Sequence, residues 1–297
     1  MMNVGYTVTP VAGAADTAMQ AGDGTIRATG GLWSHVSYGS WFTDDVINAA
    51  ALPKSPAHAT NLYLHALTDT PYLAAGVDAD LFCPPTGSDD RRARHARGGE
   101  HHRLVVGFTA SLHYNAAVKM FYDLWVPAVR LAGSDGHLLE SRIRARPLPV
   151  WDARDARSPK DVAEYLKGVD VYLCTSVSEG CSLSVLEAAA AGCVVVSTPC
   201  GNAPEIAARI VGWDAEEIAC VLREFERDRE ALYEESDRAR EIVLRWWSWR
   251  AAVKREAWKA WLAGAEMPSW RDQVPYVTRG GFGPQDFVAK SRAMREA

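Results

Sequence analysis

Long apolar runs are missing from this sequence: no stretch approaches the ~18 consecutive apolar residues of a membrane-spanning helix, so no membrane span is expected. Paired cysteines are missing too. Cys83, Cys174, Cys181, Cys193, Cys200 and Cys220 form no C-x-x-C pair and have no histidine at zinc-finger spacing, which excludes a finger-type metal site. Four of them fall between 174 and 200, where they read as reduced, small apolar residues of a cytoplasmic protein. The segment MMNVGYTVTPVAGAADTAMQ has no basic residues ahead of an apolar stretch, so no signal peptide is expected. No internal repeat is visible. Charge of one sign is not in excess either: −5 over 297 residues announces no polyanionic partner for the chain as a whole.

What is present is ample apolar material, 48% of the residues, in a chain long enough for about two domains of roughly 150 residues. The first 70 or so residues show little periodicity. NVGYTVTP has strand character, TGGLWSHV has a glycine pair ahead of His35, and a helix start is placed at Thr43 or Asp44. LTDTPYLAAGVDADLFCPP, with Gly76, Asp78 and three prolines, has the composition of a connector. Residues 86–103 hold five arginines and three histidines, either a solvated insertion loop or a phosphate-contacting surface.

From Arg103 onward strands and helices alternate. LVVGFTA is a buried-type strand. AAVKMFYDLWVPAVRLAG has helical spacing, with Pro127 expected to bend or shorten it, and SRIRARPLPVWDARDAR has room for one more strand. Ser158-Pro159-Lys160-Asp161 is a helix start whose helix stops at Gly168. VDVYLCTS, SVLEAAAAG and VVVST then read as strand, helix and strand, with Gly192 closing the helix, and PEIAARI and DAEEIACVLREF as two further helices. A long charged helical region spans 228–262. The tail's Trp270, Tyr276 and Phe282 suit docking against the rest of the chain. The expected class is α/β, a doubly wound parallel sheet.

Ligands of such sheets lie at the carboxyl ends of the strands. After Thr175-Ser176 comes Glu179-Gly180-Cys181-Ser182-Leu183, whose backbone N–H groups stand ahead of a helix start, suited to sugar hydroxyls or a phosphate. Glu179 is either a hydroxyl acceptor or an ordinary polar loop residue. Glu187 either takes the paired hydroxyls of a ribose or, in Ser184-Val185-Leu186-Glu187, closes a capping box on its own helix. Gly107-Phe108-Thr109-Ala110-Ser111 precedes Lys119, placed on the first turns of the next helix; there it neutralises a diphosphate or is a surface lysine.

DVYLCTSVSEGCSLSVLEAAAAGCVVVSTPCGNAPEI, with Ser-x-x-Glu-Gly, a second Glu eight positions after the first, and a Gly-x-x-Pro-Glu turn, resembles the signature of family 4-type retaining glycosyltransferases of the GT-B fold. Gly76-Val77-Asp78 followed by Phe82-x-Pro84, VVGFTASLHYNAAVK and Trp247-Ser248-Trp249 are similar to other segments of that family, in the same order, so the likeness spans about residues 73–262. It implies a GT-B-like arrangement: a reduced N-terminal acceptor lobe over 1–76, a Rossmann-like donor domain over 77–262, and a tail, 263–297, packed back across them.

The resemblance also implies a hexosyltransferase or related enzyme. It would need no metal and no separate cofactor, and would take a UDP- or GDP-sugar as donor and transfer with retention. Lys119 and Glu179 would be the catalytic residues, with Gly107, Ser111, Gly180, Cys181, Ser182, Leu183 and Glu187 holding the donor. The family's usual arginine after the glycine is Phe108 here, which leaves Arg142 or Arg144 to make the second phosphate contact. A small molecule, a glycan or a hydroxymethylated base in DNA would be the acceptor, the last as in a compact phage-type enzyme. A non-catalytic nucleotide-sugar-binding protein is the reading from another class. The sequence marks no oligomeric state.

Overall fold

The computed structural model describes residues 25–27, 33–37, 57–59, 61, 62, 65, 71–86, 90, 92, 93, 95, 103–110, 119–140, 158–177, 179, 181–206 and 208–276. Toward the amino terminus three short strands are described by their backbone: β1 (Thr25–Arg27), β2 (Trp33–Ser37) and β3 (Ala57–Ala59). β2 runs antiparallel to β1 and parallel to β3. His35 therefore lies mid-strand, opposite Thr25 and Ala57, and not in a loop. The expected strand NVGYTVTP, the helix at Thr43 or Asp44 and Phe282 lie outside the described residues.

The main sheet has five parallel strands: β4 (Val105–Ala110), β5 (Asp135–Glu140), β6 (Val171–Cys174), β7 (Val194–Ser197) and β8 (Arg209–Ile210), in the spatial order β5-β4-β6-β7-β8. Buried positions alternate between its two faces. Val106, Phe108, Val171, Leu173, Val194 and Val196 pack on one side with Phe121, Trp125, Ile218, Leu222 and Phe225. Tyr172, Cys174 and Val195 pack on the other with Leu166, Ala188, Ala189, Val243 and Trp247. Helices therefore cover both faces, the doubly wound α/β arrangement expected of near-continuous apolar strands.

The helices are α1 (Val126–Ala132), α2 (Pro159–Lys167), α3 (Leu183–Ala190), α4 (Ala215–Arg227), α5 (Arg229–Ile242), α6 (Ala252–Leu262) and α7 (Trp270–Gln273). α2 starts as its sequence predicts: Ser158 and Asp161 form a reciprocal capping box, with Pro159 in the first turn, where no N–H is needed. α3 is capped at its carboxyl end by Ala191, and Gly192 follows at φ +75°, a conformation that frees its N–H to meet the Ala189 carbonyl at 3.0 Å.

Three expectations are corrected. In the stretch 116–133 the described helical turns begin at Phe121, after Met120 in the left-handed region (φ 48°), so Lys119 occupies the turn ahead of the helix. Pro127 neither bends nor ends it: a π-turn over Phe121–Trp125 precedes α1, and Pro127 falls in the first turn of α1. The strand expected within SRIRARPLPVWDARDAR lies outside the described residues, and β5 ahead of it is an edge strand whose partly polar Asp-Gly-His-Leu-Leu-Glu sequence suits a solvent-facing position. PEIAARI is a 3-10 turn (Ala203–Glu205) leading to β8, since the Glu205 side chain is drawn inward to cap other segments.

That inward carboxylate organises the second half of the fold. Glu205, 1% exposed, accepts from the Leu62 backbone N–H at 2.6 Å and from Tyr72 Oη at 2.8 Å. The connector is consequently built in: Val77 bridges to Ser248, with its N–H on the Trp247 carbonyl (2.9 Å) and its carbonyl taking the Trp249 N–H (3.0 Å). Ala74 O receives the buried Lys254 ammonium (3.2 Å) and Trp258 Nε1 (3.0 Å). Farther along, Gln273 donates to Tyr72 O at 2.8 Å, and Tyr276 accepts from Trp247 Nε1 at 2.8 Å while donating to the Glu205 carbonyl. Tyr276 is thus docked by buried hydrogen bonds, and Trp270 is docked by burial in the apolar core.

Candidate functional site

The strand order changes direction at β4: the chain moves out to β5, then returns to the opposite side of β4 to lay down β6, β7 and β8. The switch point lies between β4 and β6, and the carboxyl ends of strands at such a point are where ligands of these sheets bind. Lys119 comes from the segment after β4 and Glu179 from the loop after β6. Their side chains form an ion pair at this point, with 19% and 16% of their surface exposed. Burial works against the Lys119 charge, but the touching Glu179 carboxylate more than reverses it and raises the lysine pKa above its ordinary value.

Small hydroxyl residues fix both partners. Thr175 donates its hydroxyl to the Lys119 carbonyl at 2.7 Å, and Ser176 donates to Glu179 Oε1 at 2.7 Å. From the end of β7, Thr198 donates to the Ser176 carbonyl at 2.6 Å. All three hydroxyl residues are fully buried. Asn202 performs the same service for the start of α3: its Oδ1 accepts the Ser182 N–H at 2.8 Å and its Nδ2 reaches Cys181 Sγ at 3.5 Å. Sequence reasoning did not single out Thr175, Thr198 or Asn202. The available signal was three small polar residues immediately after two buried strands, at the edge where ligands bind.

Glu187 lies one turn into α3. The helix is capped at Ser182, not Ser184, and no side chain closes its amino end, so the capping-box alternative for Glu187 does not apply. Its carboxyl has no hydrogen bond or ion pair among the described residues, and burial alone pushes its pKa up to about 7. A half-buried carboxyl with no partner among the described residues is suited to external hydroxyl donors. Leu183, 44% exposed, stands at the first turn of the same helix.

Gly107 occupies the middle of β4, away from the strand's carboxyl end. A Cβ there would come within 2.6 Å of both Val169 methyl groups and 3.0 Å of Tyr165 Oη, so close packing against Val169 already requires glycine. Ser111, Gly180, Arg142 and Arg144 lie outside the described residues. Of the other expected site residues, the structure brings Lys119 and Glu179 into contact and sets Cys181, Ser182, Leu183 and Glu187 along the start of α3. All six cysteines are free thiols. Among the described residues no group of three or more His, Cys, Asp or Glu is placed to hold a metal ion, and no helix is long and apolar enough to cross a membrane.

Two residues of the Arg/His-rich stretch, Arg92 and His95, are engaged elsewhere. Arg92 pairs with Glu230 (3.1 Å) and Asp237 (3.4 Å) on α5 and stacks over Tyr233. His95 contacts Asp170 Oδ1 at 3.1 Å and Tyr233 Oη at 2.7 Å, just before β6 begins, at the opposite end of that strand from Glu179.

The family model described as Glycosyl transferases group 1 matches residues 103–224, which include β4 to β8, Lys119, Glu179 and Glu187. No curated protein matches the sequence. Among solved structures, sucrose-phosphate synthase from Thermosynechococcus elongatus is similar at a TM-score of 0.54 and 16% identity, covering 73% of this chain and 61% of that one. HepE of Anabaena, solved in complex with UDP and glucose, is similar at 0.47 and 16%, covering 68% and 63%. A glycosyltransferase from Rickettsia africae gives 0.48 and 13%, covering 72% and 66%. The chain thus spans about six tenths of the length of the first two.

Proposed function

We propose, from the premise that residues 103–224 are a group 1 glycosyl transferase domain with the Rossmann-like donor fold of GT-B proteins, that this chain moves a sugar from a nucleotide-diphosphate-sugar to an acceptor hydroxyl with retention of configuration. The observation that carries the reading is the Lys119–Glu179 pair at the switch point between β4 and β6, with the Glu187 carboxyl, which has no partner among the described residues, one turn into α3.

Each group has work suited to its chemistry. Glu187 accepts the two ribose hydroxyls as an ionised carboxylate. Lys119 leaves Glu179 for the diphosphate, and the backbone N–H groups at the start of α3 add positive potential from the other side. Glu179, released from the lysine, accepts a hydroxyl of the donor sugar. As the bond from the anomeric carbon to the diphosphate oxygen breaks, the charge gathering on the leaving group meets a preorganised lysine, the kind of electrostatic term that dominates such reactions. The acceptor hydroxyl attacks the face the diphosphate leaves, its proton passing to the departing phosphate, which gives retention. Residues 1–76 supply the acceptor side in this reading. A DNA acceptor draws no support from Arg92 or His95, both engaged by groups of the protein itself.

A thermal-shift screen of UDP-, GDP-, ADP- and TDP-sugars tests donor use. A donor at 100 times its dissociation constant stabilises the protein by about 2.7 kcal/mol, which a melt reads directly. A shift with one base is the expected result; no shift with any of the four would refute the reading. Sugar release in the absence of acceptor separates an enzyme from a non-catalytic binder.

A further inference from the structure

Glu179 uses its two oxygens unequally. Oε1 receives both the Lys119 ammonium and the Ser176 hydroxyl (2.7 Å), whereas Oε2 has no partner among the described residues. Ser176 has no solvent role, since it is fully buried, and Thr198 donates to its carbonyl at 2.6 Å, so its backbone is held from behind by the end of β7. When a phosphate takes Lys119 away, Ser176 is the contact that still holds Oε1.

We propose that Ser176 is the positioning residue for the donor sugar. By retaining Glu179 Oε1 through the exchange of Lys119 from carboxylate to phosphate, it keeps the carboxylate in one rotamer and leaves Oε2 as the atom that accepts a sugar hydroxyl. This rests on the donor site proposed above. It goes further in assigning sugar recognition, as distinct from nucleotide recognition, to a buried serine that touches no ligand. A carboxylate has about four lone-pair sites, so one oxygen can serve the protein while the other serves the ligand.

The test is calorimetric titration of wild type, Ser176→Ala and Ser176→Thr with two probes that differ only in the sugar, UDP and UDP-glucose, or the GDP, ADP or TDP pair if wild type prefers that base. Loss of one hydrogen bond to a charged group corresponds to about a tenfold change in affinity. Ser176→Ala is expected to bind the nucleotide-sugar about tenfold more weakly while its affinity for the bare nucleoside diphosphate stays within twofold, and Ser176→Thr, which keeps the hydroxyl, to recover most of the loss. In a Glu179→Gln background, Ser176→Ala should add little further loss of nucleotide-sugar affinity. Equal weakening of both probes, or of neither, overturns the assignment, as does a full additional loss in the Glu179→Gln background. A wild-type protein that binds none of the four pairs refutes the donor site itself, a result distinct from any of these.

Discussion

Glu187→Gln should make the unliganded protein more stable at alkaline pH and a poorer nucleotide binder, and the size of the first effect follows from burial. Burial pushes the Glu187 carboxyl up to about 7 in the fold against an ordinary 4.5, with no hydrogen bond or ion pair among the described residues to compensate. Below pH 4.5 both folded and unfolded chains hold the proton, and the residue costs nothing. Between 4.5 and 7 the unfolded chain releases it while the folded chain keeps it, so stability falls as pH rises. Above 7 the penalty is complete. At 1.36 kcal/mol per pKa unit this amounts to about 3 kcal/mol as an upper figure, since the side chain is only half-buried, and it falls below about 1 kcal/mol at pH 5. Glutamine has the same shape and no charge. Melts of the variant and wild type should therefore diverge with pH, by roughly 2–4 °C per kcal/mol, with little separation at pH 5 and the full separation at pH 8. Nucleoside diphosphate affinity of the variant should drop by about tenfold or more, because a charge-assisted hydrogen bond to ribose is lost. An offset that does not change between pH 5 and pH 8 would refute the reasoning.

Gly107→Ala should destabilise by about 1–3 kcal/mol, since its methyl group meets both Val169 methyls at 2.6 Å. Val169→Ala in the same chain should return part of the loss in a denaturant melt, and strict additivity of the two changes would contradict the packing account. Glu205→Ala leaves the Leu62 N–H and the Tyr72 hydroxyl without their acceptor, and a loss of at least about 2 kcal/mol is expected by chemical denaturation. Tyr276→Phe strands Trp247 Nε1 in the interior and should cost about 1–3 kcal/mol; an unchanged midpoint would show that the tail does not brace the Trp247 turn.

The donor half was legible because its strands are short, apolar and bounded by turn residues: Val171–Cys174 and Val194–Ser197 announce themselves. β5 did not, because an edge strand can afford Asp, Gly and His. The sequence likewise gives no sign that Met120 turns left-handed or that Glu205 folds inward, since both depend on packing partners distant in the chain. Lys119 and Glu179 could be paired from their order along the chain and a family resemblance. The hydroxyls of Thr175 and Thr198 and the amide of Asn202, which hold that pair and the start of α3, became visible only once β6 and β7 stood side by side.

The central claim is that Lys119 receives the diphosphate of a nucleotide-sugar and that the sugar then leaves it. Release of nucleoside diphosphate from a panel of UDP-, GDP-, ADP- and TDP-sugars, followed for wild type and Lys119→Ala side by side, tests both parts at once. Wild type is expected to release one nucleoside diphosphate, if only by slow hydrolysis, and Lys119→Ala to do so at least about a hundredfold more slowly, in keeping with the loss of one preorganised electrostatic group. Equal rates in the two proteins, or no release from any donor, would contradict it.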